Sequence, residues 1–278
     1  MHILPWLALE TSTDTLSLAV ARGTQTWTHT SAGGALTSTH MIPQTLALLK
    51  EAGLALTDLQ AVVFGRGPGA FTGLRTACSV AQGFAFGADL PVLPIDTLLA
   101  VAEEARAAKA ATGAIPVTRV LAVMDARMEQ VYAAAYEFTP NVADIASEGN
   151  QIHGTWRCVQ APELHSPEFL HWPAEWSQDS FIAAGNAWPV YAGRWPAALT
   201  APQLMALPTA SALLRLAPAA WAAGQAVPPE EALPLYIRDK VAQTTDERML
   251  IKVQQAEQAA QLAQLNEASK AVSPTITH

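Results

Sequence analysis

The first 110 residues alternate short apolar runs with longer segments whose apolar residues recur at helical spacing. Alternating apolar and polar positions predict three opening strands, at Trp6–Ser12, Leu16–Ala21 and Gln25–Ser31. Helices are predicted from Ser38 or Thr39 to Ala52, at Leu74–Phe86 and at Thr97–Lys109, with buried strands at Val62–Phe64 and Val92–Ile95. The order β-β-β-α-β-α-β-α predicts an α/β lobe with a mixed sheet and flanking helices.

The second half of the chain has a weaker pattern. A Gly-containing linker, Ala111–Pro116, precedes a predicted hairpin of Val120–Asp125 and Gln130–Phe138. From Thr139 to Trp195 the chain is rich in Pro and Trp, and only Phe181–Gly185 predicts a strand. A helix is predicted at Ala210–Ala223. We therefore expect an N-terminal lobe over residues 1–110, a C-terminal lobe over 111–240, and a Gln/Ala-rich tail over 241–278 that is helical or disordered.

Two of the predicted helices differ from ordinary surface helices. The helix ending at Ala52 is apolar on more than one face, whereas a surface helix usually carries one apolar stripe. In the helix Leu74–Phe86, alanines at four-residue spacing leave one stripe almost without side chains, which permits close approach of another helix. We expect both helices to bind a partner, although internal packing would also explain the stripe. The expected contact residues are Met41, Ile42, Thr45, Leu46, Leu49, Leu74, Ala77, Cys78, Ala81 and Ala85.

Composition narrows the class of protein. The chain carries 16 Lys and Arg against 24 Asp and Glu, a formal charge of −8. Because nucleic acid is held largely by neutralising phosphates, we do not expect this chain to bind RNA tightly alone. Its two cysteines, Cys78 and Cys158, are far apart in sequence, which favours a reducing compartment. No run approaches the roughly 20 apolar residues of a membrane span, so a cytoplasmic protein is expected.

A glycine-rich loop follows the predicted strand at Val62–Phe64. Gly65, Gly67, Gly69 and Gly73 precede a helix, an arrangement that can present N–H groups to an anion or simply make a tight connection. The segment GRGPGA satisfies a dinucleotide-binding pattern, but it does not follow the first strand, and no Walker P-loop is present. Weak candidates for nucleotide contact are Glu10, Ser12, Gly67, Gly69 and Asp125.

Other catalytic patterns are missing from the sequence. No two histidines stand three or four residues apart, and neither His-Glu-x-x-His nor Gly-x-Ser-x-Gly occurs. Asp14 and Asp125 fall at the turns of the two predicted hairpins, which suggests a duplicated nucleotide-binding architecture. Alternatively, both aspartates make local turn hydrogen bonds. We therefore predict no metal site and no catalytic residue.

Four segments together resemble one protein family. ALETSTDTLSLAV, THMIPQTLALLKEAGL, FGRGPGAFTGLRTA and VMDARMEQVY closely resemble the bacterial TsaB (YeaZ) family in order and spacing, over about residues 6–240. The resemblance implies a two-lobed fold of the actin/Hsp70/sugar-kinase type. It also implies a role, with the transferase TsaD and the ATPase TsaE, in making N6-threonylcarbamoyladenosine at position 37 of tRNAs that read codons beginning with A. The tail lies outside the resemblance.

The resemblance further implies that this subunit does not catalyse the transfer. The metal-binding histidine pair of TsaD would fall near Thr97 and Val101, and the turn after Asp125 lacks the glycines of an actin-type phosphate loop. The implied role is a scaffold or activator that binds TsaD directly, TsaE in a ternary complex and tRNA only through the complex. The resemblance implies that the isolated chain holds no cofactor, while the complex could bind ATP or ADP. It also implies that the chain forms a self-dimer when TsaD is absent. The alternative is an ATP-dependent enzyme or M22-type (glyco)peptidase acting alone.

Overall fold

The computed structural model describes residues 5–34, 37–112, 117–141 and 154–238, whose strands form two five-stranded sheets. The first sheet consists of β1 (Trp6–Glu10), β2 (Thr15–Arg22), β3 (Gln25–Ala32), β4 (Ala61–Gly67) and β5 (Val92–Asp96). Its spatial order is β3-β2-β1-β4-β5. The central strand β1 pairs antiparallel with β2 and parallel with β4, with Leu9 opposite Leu18 and Phe64.

The second sheet repeats this topology. It consists of β6 (Arg119–Asp125), β7 (Val131–Pro140), β8 (Gly154–His165), β9 (Ile182–Gly185) and β10 (Gln203–Met205), in the order β10-β9-β6-β7-β8. The strand β6 pairs antiparallel with β7 and parallel with β9, so it corresponds to β1 of the first sheet. The two mixed sheets with flanking helices confirm the predicted two-lobed α/β fold.

Two helices cover one face of the first sheet. They are α1 (Thr37–Glu51) and α2 (Phe71–Ala88), and they pack on the side chains of Leu7, Leu9 and Phe64. The sequence predicted this helix at Leu74–Phe86, and the structure extends it at both ends. Ala70 is the N-cap, and the helix ends where Asp89 adopts the left-handed conformation at φ 55° and donates its N–H to Ala85 O.

Two further α-helices of the described residues connect the two halves of the chain. The helix α3 (Thr97–Ala111) packs Leu98, Val101 and Ala105 on the second sheet. The helix α4 (Ala210–Ala222) belongs to the predicted C-terminal lobe, yet it covers the free face of the first sheet, where Leu213 joins the cluster of Trp6, Ala8 and Val63. Thus each predicted lobe contains one sheet, while α4 crosses from the second half to the first.

The Trp-rich segment forms the outer cover of the second sheet. Trp176 and Trp188 are buried against Leu121 and Val123 of β6. Within the described residues, no helix is both long and apolar enough to cross a membrane. The predicted linker beyond residue 112 and the predicted tail over 241–278 lie outside the described residues.

Candidate functional site

The end of β1 holds a buried carboxyl group. Glu10 is almost fully buried, and its Oε1 accepts a hydrogen bond of 2.6 Å from the N–H of Ser12. Its Oε2 and the hydroxyl oxygen of Ser12 have no hydrogen-bond partner among the described residues. A Cβ at Gly65 would lie 1.8 Å from Glu10 Oε2, so the glycine provides the space that this carboxyl group occupies. Burial raises the pKa of Glu10 above its ordinary value.

The glycine-rich loop packs directly on the turn that follows β1. Ala70 donates its N–H to Ser12 O at 2.7 Å, and Thr11 donates its hydroxyl to Gly73 O at 2.8 Å. A Cβ at Gly69 would lie 2.6 Å from the Cβ of Ser12, and one at Gly73 would lie 1.9 Å from Thr11 O. The loop and the turn therefore touch through their backbones, and close packing accounts for the glycines here.

Gly67 has a different neighbour. Its N–H donates to the hydroxyl oxygen of Thr97 at 3.1 Å, and a Cβ on it would lie 2.6 Å from Leu235 O. The same C-terminal segment is held in place because Leu235 donates its N–H to Arg66 O at 2.7 Å. The candidate Gly67 is therefore covered by the chain's own residues, and its φ of +119° also favours glycine.

The turn between β6 and β7 is held by Asp125. Its Oδ1 accepts hydrogen bonds of 2.8 Å from the N–H of Arg127 and from the hydroxyl of Tyr191. Burial, together with this bond to Asp125, raises the pKa of Tyr191 to about 12. Arg127, Met128 and Glu129 all have left-handed backbone angles, at φ 60°, 53° and 59°. Left-handed angles are unfavourable for residues other than glycine, so the surrounding hydrogen bonds must hold this turn.

An ion pair joins the turns of the two sheets. Arg127 Nη2 lies 2.6 Å from Asp14 Oδ2, and both side chains are exposed to solvent. The sequence placed Asp14 and Asp125 at equivalent turns, and the structure brings these turns together through Arg127. The candidates Glu10 and Ser12 lie at the first turn, Gly69 packs against it from the glycine-rich loop, and Asp125 lies at the second turn.

A buried acidic residue, Glu103, links three elements and was not predicted. Its carboxylate accepts hydrogen bonds from Arg106 on α3, Arg215 on α4 and the indole N–H of Trp156 on β8, at 2.8–3.0 Å. Burial acts to raise the pKa of Glu103, but the hydrogen bond and charge of Arg106, with Trp156 and Arg215, hold it below its ordinary value. Helical spacing placed Glu103 on α3, but only the fold reveals its partners.

The predicted partner-binding residues divide into two groups. Ile42 and Leu46 on α1 are exposed, at 44% and 47% of their maximal surface. The other eight are buried within this chain, namely Met41, Thr45, Leu49, Leu74, Ala77, Cys78, Ala81 and Ala85. The alanine stripe packs on the chain's own sheet, because small side chains let α2 lie close to β4. This corrects the expectation that the stripe is open to a second helix.

A different small-residue stripe faces outward on α2. Ser79, Gly83 and Gly87 recur at four-residue spacing and are exposed, and a Cβ on either glycine would meet nothing within 4 Å. On α1, Leu46 borders a groove formed with residues from the end of the helix and the loop after it. The other groove residues are Leu49, Lys50, Gly53, Leu54, Ala55 and Leu56. We define Ile42, Leu46, Ser79, Gly83 and Gly87 as the α1–α2 outer face.

The fold also brings together three side chains of the kinds that bind metals. Glu163 and His165 at the end of β8 lie beside His171, which follows a one-turn 3-10 helix at Pro167–Phe169. The sequence did not predict this group, because the two histidines do not have the three- or four-residue spacing of ligands on a helix. The turn at Pro167–Phe169 brings them together instead.

Comparison with known proteins identifies the family. The family model for TsaD, described as tRNA N6-adenosine threonylcarbamoyltransferase, matches residues 24–246. The protein TsaB of Escherichia coli is 31% identical over 238 residues, which cover 85% of this chain and 95% of that protein. TsaB of Haemophilus influenzae is 34% identical over 242 residues, covering 87% and 96%.

A solved structure gives the same result. YeaZ from Pseudomonas aeruginosa superposes with a TM-score of 0.69 at 35% identity, covering 84% of this chain and 100% of that one. Both curated relatives are named as tRNA threonylcarbamoyladenosine biosynthesis proteins. The chain therefore belongs to the TsaB (YeaZ) family of tRNA threonylcarbamoyladenosine biosynthesis proteins.

Proposed function

We propose that this chain is a non-catalytic subunit that activates TsaD, together with TsaE, in the transfer of a threonylcarbamoyl group to N6 of adenosine 37. Its substrates are then the tRNAs that read codons beginning with A. In this proposal the chain contacts TsaD directly, joins TsaE in a ternary complex and meets tRNA only through that complex. The net charge of −8 supports this arrangement, because the chain has few cations with which to hold phosphates alone.

The observation that carries the proposal is the packing at the end of β1. The glycine-rich loop could hold a phosphate against this turn only if there were open space between them. Here the space is filled, since Gly65 lies against the Glu10 carboxyl group and Gly69 and Gly73 lie against the backbone of the β1–β2 turn. A buried carboxyl group beside this loop would also repel a phosphate if it were ionised.

The second turn supports the same conclusion. The N–H of Ala126 donates to Gln130 O at 2.9 Å, and the N–H of Arg127 donates to Asp125 Oδ1. Both groups are satisfied inside the turn, whereas a phosphate-binding loop directs several backbone N–H groups at its ligand. The chain thus keeps an enzyme-like fold while its two turns are closed by its own atoms.

The α1–α2 outer face is the surface that we assign to TsaD. Its exposed Ile42 and Leu46 offer apolar side chains for burial, and the stripe of Ser79, Gly83 and Gly87 lets a partner helix approach closely. The same face would be used in the self-dimer when TsaD is absent, because an apolar surface of this kind favours burial against another protein.

Reconstitution of tRNA modification tests the proposal. Purified TsaD, TsaE, tRNA and the threonylcarbamoyl donor are expected to give modified tRNA efficiently only when this chain is added. The variant Leu46→Arg should lose this effect, while Met205→Arg, an exposed apolar position on β10, should retain it. Turnover of ATP or cleavage of a peptide by the chain alone would instead favour the alternative of an independent ATP-dependent enzyme or M22-type peptidase.

A further inference from the structure

Three potential metal ligands converge at the end of β8. Glu163 and His165 are two residues apart on a strand, so their side chains leave the same face. The chain then turns through the 3-10 helix at Pro167–Phe169 and returns His171 to the same place. Glu163 Oε2 lies 3.4 Å from His165 Nε2 and 3.8 Å from His171 Nε2, and all three ligand atoms lie within 4.8 Å of one another.

The buried ring of His165 is an independent observation that points to a ligand at this position. Its side chain is nine-tenths buried, at 10% exposure, and its Nε2 has no hydrogen-bond partner among the described residues. Buried polar nitrogen atoms in folded proteins are almost always paired, so an unpaired one calls for a specific explanation such as an ion. The nitrogen lies beside the neighbouring carboxylate without making a hydrogen bond to it.

The spacing of the three atoms suits a tetrahedral ion. Zinc bonds to nitrogen and oxygen of 2.0–2.2 Å place neighbouring ligand atoms about 3.4 Å apart. The two distances to Glu163 are close to this value, and the exposed ring of His171 can rotate to shorten the third. His171 Nδ1 also lies 3.5 Å from Phe169 O, at the outer limit of a hydrogen bond. With its proton on Nδ1 facing this carbonyl, His171 has a lone pair on Nε2 for the ion. Histidine ligands of metals usually donate their other ring N–H in this way.

We propose that Glu163, His165 and His171 form a binding site for one divalent transition-metal ion of the zinc type. Two imidazoles and a carboxylate suit zinc, whereas calcium and magnesium prefer oxygen ligands alone. A water molecule completes the coordination, and the exposed sides of Glu163 and His171 give the ion access from solvent. The ion would join the end of β8 to the loop that follows it. This site is independent of the proposed role in tRNA modification.

Zinc titration of the full, untagged chain tests the proposal. After treatment with a chelator and its removal, calorimetric titration with zinc chloride should show one saturable site per chain. His171→Ala and Glu163→Gln should each weaken binding by at least about tenfold, because even residues that merely orient a ligand contribute 10–100-fold. The control His40→Ala, which removes an exposed histidine at the start of α1, should bind zinc like the parent protein.

Cobalt substitution and melting curves complete the test. Co²⁺ should give the visible absorption of a tetrahedral site in the parent and in His40→Ala, but not in His171→Ala. Zinc should raise the Tm of the parent and of His40→Ala but not that of His171→Ala, and equal Tm values in chelator would show that His171→Ala is folded. The proposal is overturned if zinc does not bind saturably, or if His171→Ala and Glu163→Gln both bind it as tightly as the parent does.

Discussion

Arg127 in the turn of the second sheet donates a hydrogen bond of 2.6 Å to Asp14 in the turn of the first. Both side chains are largely exposed, at 70% and 78%, so solvent and salt screen their attraction. We expect a double-mutant cycle with Asp14→Asn and Arg127→Gln to give a coupling of at most about 1 kcal/mol. Urea denaturation at low and high salt measures it. A large coupling that persists in high salt would show that the pair does more than connect two solvated turns.

The close contact of Gly65 with Glu10 gives a second prediction. In Gly65→Ala the new methyl group collides with the buried carboxyl group, and overpacking should lower the free energy of unfolding by about 2–3 kcal/mol. The double variant Glu10→Ala/Gly65→Ala opens space for the methyl group and should recover part of this loss. Chemical denaturation of the two single variants and the double variant measures the interaction. Strictly additive losses would contradict the contact.

Glu10 also makes stability depend on pH. Because burial raises its pKa in the folded protein, the folded state binds the proton more tightly than the unfolded state. The contribution of Glu10 to the free energy of unfolding is therefore fully present below its pKa in the unfolded chain, about 4.5. It is lost as pH rises through the higher pKa of Glu10 in the folded protein. Glu10→Gln should remove this decline. Denaturation from pH 4 upward should give a flatter profile for Glu10→Gln than for the parent, and parallel profiles would exclude the effect.

Glu103 predicts the opposite pH dependence. Its pKa is lowered in the folded protein, so its contribution is present above the unfolded pKa and is lost as pH falls through the folded pKa. Glu103→Gln should destabilise the protein by about 3 kcal/mol at pH 7, because it leaves Arg106 and part of Arg215 without their carboxylate. The difference from the parent should shrink in acid. Glu163→Gln, at an exposed carboxylate, is the matched control for denaturation without added metal.

The two stripes on α2 are expected to respond differently to a bulky charge. Ala81→Arg should prevent folding, because Ala81 is fully buried against the sheet. Gly83→Arg should fold but lose affinity for TsaD by at least about tenfold, if the α1–α2 outer face is the contact surface. Circular dichroism and gel filtration with TsaD separate the two effects. A folded Gly83→Arg that binds TsaD like the parent would place the interface elsewhere.

Gly83→Ala provides a control for the helix itself. The added Cβ enters open space, and alanine is favoured over glycine in a helix by roughly 0.5–1 kcal/mol. We therefore expect a small rise in the Tm of the isolated chain. A fall in Tm would mean that Gly83 is already in contact with another chain under those conditions.

The sequence predicted the central elements because their patterns are strong. The alternating pattern predicted β1 and the helical spacing of apolar residues predicted α3, and both elements formed as expected. The edge strand β8 was missed because its partly exposed residues show no apolar run, and its pairing is set by β7. The local pattern of residues predicts whether a segment is a helix or a strand. Which strand it pairs with depends on tertiary contacts that the local pattern does not contain.

The candidate sites show the same division. The alanines of α2 indicated close packing, but helical spacing alone cannot tell whether the neighbour is the chain's own sheet or a partner. The carboxylate of Glu103 and the group around His165 depend on residues that are distant in sequence or separated by a turn. In both cases the residue types were visible, while the contacts that give them a role required the fold.

The position of α4 on the first sheet affects how the protein is made. Leu213 and Leu216, which cover Trp6 and Ala8 of β1, are synthesised about 200 residues after them. Domains generally fold in the order of synthesis, but here the first sheet cannot be covered on both faces until the chain is translated through α4. A stalled or truncated nascent chain would therefore expose the apolar face around Val63 to chaperones, and folding of the N-terminal half must wait for the C-terminal half.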